Sequence, residues 1–144
     1  MDITKHIAGF EKVVAVLGLW PSFHDSEIIS FSVSRALPLE PGASAAKLTV
    51  HVRQYAEVGA GTAEYELEIV KSALVNFSFN NVSNLSISEF NSQNVINSIK
   101  FQTAGLQGGL SILVDIESIW GFGGTLQCSG LAVESVEELS IVPA

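Results

Sequence analysis

The sequence has little positive charge, one cysteine and no long apolar run, and each shortage excludes something. Seven lysines and arginines stand against fifteen aspartates and glutamates, for a net charge of −8. Nucleic acid is thereby excluded as a partner, because phosphates demand a dense cationic surface. An acidic field instead suits fast encounter with a basic partner. A helix that spans a bilayer needs roughly 20 apolar residues in succession; the longest aliphatic run near the start covers only residues 13–17. Cys128 has no second cysteine to pair with. No basic-then-apolar leader with a cleavage pattern is read either, so no membrane is expected and the cytoplasm is the expected location. Cys128 falls within the apolar alternation of Phe122 and Leu126, the setting of a buried, inert thiol.

What is abundant is apolar residue. A hydrophobic fraction of 47% with a mean hydropathy of +0.38 and only 15% charged residues suits strands with well-buried faces. The length of 144 residues suits a single domain, residues 1–144, with no linker or repeat.

Periodicity divides the chain in two. Ile3, Ile7, Phe10, Val13, Val14 and Leu17 recur at helical spacing, with Asp2 as N-cap, Gly18 as a left-handed terminator and Pro21 barring continuation. These predict a helix of about four turns over 2–18. From residue 27 to 142 the period is two. Ile29, Phe31 and Val33 alternate with serines, and Leu48, Val50 and Val52 alternate with Thr49, His51 and Arg53. Tyr65, Leu67 and Ile69 start an odd-numbered apolar face that continues through Ala73, Val75, Phe77 and Phe79 and is broken only by Lys71. That stretch is one long strand bent at a bulge, or two strands hinged near Lys71. Residues 91–94 suit the start of a single helical turn that runs through Val95 and Ile96, and residues 133–139 a last strand or a frayed tail. The expected fold is mainly β (α+β): an antiparallel sheet or sandwich of about eight strands, with the N-terminal helix packed on it.

The densest ionisable cluster is His24, Asp25 and Glu27, just after Trp20 and Phe23. A histidine beside carboxylates is a common acid–base device; the competing reading is a turn held by Asp25 and Ser26, with His24 bonded to a backbone carbonyl. The other histidines, His6 and His51, are distant in sequence, and no H-E-x-x-H, CxxC or EF-hand spacing occurs, so neither metal nor cofactor is expected. The glycines at 105–109 and 121–124 precede no helical pattern and suit turns. No catalytic residue is assigned. Trp20 and Trp120 are candidate interface anchors, since tryptophan is favoured at binding hot spots.

Several segments resemble one family. Leu19-Trp20-Pro21-Ser22-Phe23-His24-Asp25-Ser26-Glu27-Ile28 is similar to the opening motif of the immunity protein 50 family. The resemblance continues in Glu66-Leu67-Glu68-Ile69, along residues 77–85, and in Phe90-Asn91-Ser92-Gln93-Asn94-Val95-Ile96. It returns in Trp120-Gly121-Phe122-Gly123-Gly124 with Leu126-Gln127-Cys128. The resemblance implies a small bacterial protein that binds and neutralises a cognate toxin, with a protein partner, a basic one on charge, and no catalysis. Its characteristic positions are Trp20, His24, Asp25, Glu27, Asn91, Gln93 and Asn94, expected to hold the fold more than to touch a toxin. The alternative is a β module that binds a small molecule or carbohydrate, with a tryptophan as the stacking platform.

Overall fold

The computed structural model describes residues 3–38, 40, 44–106 and 109–141. It is mainly β, as expected, with nine strands in one sheet and a short helix at the N-terminal end. The strands are β1 (Ile7–Ala8), β2 (Glu27–Arg35), β3 (Ser44–Val58), β4 (Glu66–Asn80), β5 (Ser83–Ser88), β6 (Val95–Leu106), β7 (Gly109–Trp120), β8 (Gly123–Cys128) and β9 (Gly130–Glu138). Their order across the sheet is β1-β9-β4-β3-β2-β6-β7-β8-β5, antiparallel except for β1 against β9. Among the described residues no helix is long and apolar enough to cross a membrane.

Connectivity shows that this sheet is folded over. β4 and β5 lie six places apart, about 29 Å in a flat sheet at about 4.8 Å per strand. Yet only Asn81 and Val82 separate them in sequence, and only Ser129 separates β8 from β9, also six places apart. Three Cα steps reach at most about 11 Å. The fold line runs between β2 and β6, which pair only at Glu27↔Val95. Across the fold the halves pack aromatic rings, Phe77 of β4 against Phe101 of β6 at 6.0 Å and Phe31 of β2 against Phe122 at 5.6 Å. The core is therefore sandwich-like although the strands form one sheet. Its inner face carries Leu48, Val50, Val75, Phe77, Phe79, Ile112, Val114 and Leu126, all at most 2% exposed. The strand expected or frayed over residues 133–139 is β9, a paired strand with Leu131 and Val133 buried.

The N-terminal segment differs from the four-turn expectation. A 3-10 turn (Ile3–His6) leads into β1, and α1 spans only Phe10–Leu17. The cause is Gly9, at φ +78° against β9, where an added Cβ would lie 2.4 Å from the Val133 carbonyl oxygen. Ile7 and Ala8 spend their backbone groups on Leu131 and Ala132 instead of on helix. Asp2 lies outside the described residues. The other end is as expected: Gly18 is left-handed at φ +83°, and its N–H donates to the Val14 carbonyl at 2.8 Å. Lys71, the break in the β4 apolar face, donates its Nζ to the Val16 carbonyl, and Gln54 Nε2 donates to the Leu17 carbonyl at 2.9 Å. The two side chains thus take up carbonyls that an isolated helix leaves unpaired at its C-terminal end.

Two bulges reassign faces. In β2, Ile28 opposes Val50 but Ser30 opposes Thr49, so Ile29 is the extra residue. Ile28 is buried and Ile29, expected inside, is 43% exposed; Val33, also expected inside, is exposed as well. In β4, Gln54 opposes Lys71 but Tyr55 opposes Ile69, leaving Val70 as the extra residue. β4 is one long strand, and the bulge turns Leu67 and Ile69 to the face opposite Ala73 and Phe77.

Candidate interaction surface

The segments singled out in the sequence meet at the fold line. Residues 23–28 and 94–96 are laced by backbone bonds from Asp25 N to Ile96 O (3.0 Å), Ile96 N to Ser26 O (2.9 Å) and Ile28 N to Asn94 O (2.8 Å). At the centre is Asn94, 2% exposed. Its Oδ1 accepts from Asn91 N (2.7 Å) and Phe122 N (3.1 Å), and its Nδ2 donates to Asn91 O (2.9 Å) and Ile28 O (3.4 Å). One amide therefore ties together three segments distant in sequence. The helical turn expected from residue 91 through Val95 and Ile96 is absent: residues 91–94 form a bend closed by this side chain, and Val95 and Ile96 already belong to β6. Gly121 completes the knot at φ +82°, where a Cβ would stand 2.6 Å from Asn94 Oδ1 and from Gln93 O. Two residues adopt left-handed backbone here without being glycine, Phe23 at φ 67° and Asp25 at φ 61°, a strained arrangement that the surrounding bonds hold in place.

The other sequence-singled residues surround this knot. Glu27 Oε2 accepts from Asn94 N at 3.4 Å. Asn91 Nδ2 donates to Glu89 O at 2.8 Å, while the exposed Gln93 supplies the carbonyl beside Gly121. Trp20 packs edge-on against Phe23, Phe77 and Phe101 at 5.6–6.2 Å, partly buried at the edge of the core. His24 and Asp25 lie on the solvent side, each 58% exposed, with Nε2 3.4 Å from Oδ2. His24 Nδ1 is 2.9 Å from Asn97 Oδ1, and Asn97 Nδ2 donates to Glu117 at 3.0 Å. With the Asn97 amide so oriented, Nδ1 is the donating nitrogen. Among the described residues, no group of three or more His, Cys, Asp or Glu side chains is placed to hold a metal ion.

Beside the knot the surface is open and apolar. Trp120 is 62% exposed and Phe90 56%, with Ile87, Ile29 and Ile119 also exposed. Three adjoining shallow depressions run across this shelf: one lined by Trp120, Gly121, Glu89 and Asn91, one by Ile87, Phe90 and Phe122, and one by Glu27, Ile29, Phe90 and Ser92. Glu89, between the first two, is at φ +62°. Sequence reading found Trp120 but missed Phe90, Ile87 and Ile29, because exposed apolar residues in strands carry the same alternation as buried ones. Glu27 and Glu89 make the shelf acidic.

A row of cross-strand neighbours links the shelf to the rest of the outer face: Trp120↔Val95, Val95↔Glu27 and Glu27↔His51. His51 Nε2 is 2.7 Å from Ser72 Oγ. Burial lowers the His51 pKa from 6.5, Arg53 lowers it further and Glu27 opposes them. Since the folded value lies below the unfolded one, protonation favours unfolding: stability is full above about 6.5 and falls as the pH drops through the folded value. An NMR titration should place the His51 midpoint below 6.5, and lower still in Glu27→Gln; a native midpoint at or above 6.5 contradicts this. Cys128 is buried, and desolvation pushes its thiol up to about 11, as befits the inert thiol expected from the sequence.

The site is thus an open, acidic, aromatic patch on a folded-over β protein, with no closed pocket among the described residues. The family model of immunity protein 50 matches residues 9–139, and the chain belongs to that family. No curated protein and no solved structure gives a significant match.

Proposed function

We propose that this chain neutralises a cognate bacterial toxin in the cytoplasm by binding it stoichiometrically, with no catalytic step of its own. The observation that carries this reading is the family match over residues 9–139. The shelf supports it, because a central exposed tryptophan with a phenylalanine beside it and a carboxylate rim is the anatomy of a binding hot spot. The chain's charge of −8 makes a basic toxin the complementary partner. In this reading Trp120 and Phe90 touch the toxin. Asn94, Trp20 and the backbone of the Phe23–Glu27 segment hold the shelf in shape.

Co-expression with the toxin encoded beside its gene should restore growth, and failure to rescue from any neighbouring toxin would refute the proposal. Trp120→Ala should weaken toxin binding by about 2 kcal/mol or more, some 30-fold. Its own stability should change by less than about 0.5 kcal/mol, because the ring is mostly exposed. Equal affinity of native and Trp120→Ala chains would remove the shelf from the interface.

A second reading has one observation in its favour. The depression lined by Trp120, Asn91 and Glu89 pairs a ring face with polar groups, a combination that also suits a saccharide or another small ligand. A saturable rise in melting temperature across a sugar panel, lost in Trp120→Ala, would favour that reading.

A further inference from the structure

We infer that the arm formed by the outer ends of β3 and β4 docks the basic protein that the shelf binds; this rests on the immunity reading above. Support from neighbouring strands stops at the base of the arm. β2 reaches β3 only as far as Glu27↔His51, and β9 reaches β4 only as far as Ala73↔Glu138. Beyond those pairs, residues 54–58 and 66–71 pair with no other described strand; Gln54 and Lys71 tie the base of the arm to the end of α1, and a turn in which Thr62 N donates to Gly59 O at 3.0 Å closes its tip. A two-stranded ribbon is marginal alone in water and gains from a partner.

The bulge at Val70 decides what the arm displays. Tyr55, Leu67 and Ile69 share the outer face, and Tyr65 joins them through its hydroxyl bond to Glu57 Oε1 at 3.3 Å. These four side chains are 44%, 58%, 37% and 49% exposed in that order, an apolar and aromatic strip. Residues 54–70 also hold Glu57, Glu64, Glu66 and Glu68, with no lysine, arginine or histidine. Pairing two copies through this strip would bring together the two Glu57 carboxylates, which share its face, on arms whose one cation, Lys71, is taken up by the Val16 carbonyl. Like charges so placed are costly, whereas a cationic partner surface is drawn to them.

The strip is also continuous with the shelf. Along the row from Trp120 through Val95 and Glu27 to His51 the distance is three strand spacings, about 14 Å. Tyr55 lies four residues further along β3, about 13 Å. Shelf and arm thus stand at most about 20 Å apart on the outer face of the folded sheet, on either side of the fold line.

The test uses the full chain and the purified toxin domain encoded beside its gene, with affinity measured at two salt concentrations. Glu57→Lys, on the face of the strip, should weaken binding by about 10-fold at low salt and flatten its salt dependence. Leu67→Ser should weaken it by about 10-fold at both salt concentrations. Both variants should keep the native melting temperature within about 2 °C, since these side chains lie outside the core. If both bind as tightly as the native chain while Trp120→Ala binds weakly, the arm is not part of the interface and the inference falls alone. If no neighbouring toxin binds the native chain, the immunity reading fails and takes the arm's assignment with it. A native dimer abolished by Leu67→Ser would make a second copy the occupant and overturn the inference.

Discussion

Replacing Asn94 by alanine should destabilise the protein by about 3–5 kcal/mol and lower its melting temperature by about 10 °C or more. The magnitude follows from what the amide holds. Its Oδ1 satisfies the N–H groups of Asn91 and Phe122, and its Nδ2 reaches the carbonyls of Asn91 and Ile28. Truncation strands the Phe122 N–H and the Ile28 carbonyl in buried surroundings and frees the part-buried Asn91 groups, and each buried unpaired group costs about 1–3 kcal/mol. Asn94→Asp should recover only part of the loss, since it keeps the acceptor but loses the donor and adds a buried charge. The loss should also be local in character. Hydrogen exchange at Phe122 and Ile28 should rise by more than at the centre of β3 and β4. A loss below about 1 kcal/mol in urea unfolding would mean that Asn94 does not organise the fold line.

Phe77→Ala should cost a similar amount, about 3–5 kcal/mol, for a different reason. Phe77 is 1% exposed and lies within 6.3 Å, ring centre to ring centre, of Trp20, Phe23, Phe79 and Phe101. These neighbours come from three parts of the chain, the segment before β2, β4 itself and β6, and from both halves of the folded sheet. Their rings are fixed by their own contacts, so the space left by truncation does not collapse and a cavity remains. Phe77→Leu, which fills most of that volume, should cost less than half as much. Chemical denaturation of both variants measures the difference, and equal losses would show that ring contacts rather than volume set the energy.

How much of this was legible depended on whether the cause was local. Gly18 and Pro21 end the helix through backbone chemistry carried by the residues themselves, and the end was read correctly. Gly9 begins the helix because of a carbonyl on Val133, far along the chain, and no local pattern reports that contact. Period-two alternation found the strands, but a single extra residue reverses every face beyond it. Ile29 and the Leu67–Ile69 pair were therefore placed inside when they point out. Lys71 looked like a flaw in an apolar face and is the group that reaches the Val16 carbonyl. The distinctive segments around His24 and Asn94 were recognised as special from their composition and family likeness. Their convergence through one buried amide required the fold. The shelf was the least legible part, because Phe90 and Ile87 differ from core residues only in what lies above them.

Titrating purified toxin with this chain while recording residual toxin activity distinguishes stoichiometric, non-catalytic capture from turnover. Stoichiometric capture gives a linear loss of activity that reaches zero at one chain per toxin, with a complex of about nanomolar affinity that Trp120→Ala weakens. Complete inactivation at a small fraction of one equivalent would reveal turnover and contradict it, and so would activity undiminished by an excess of the chain.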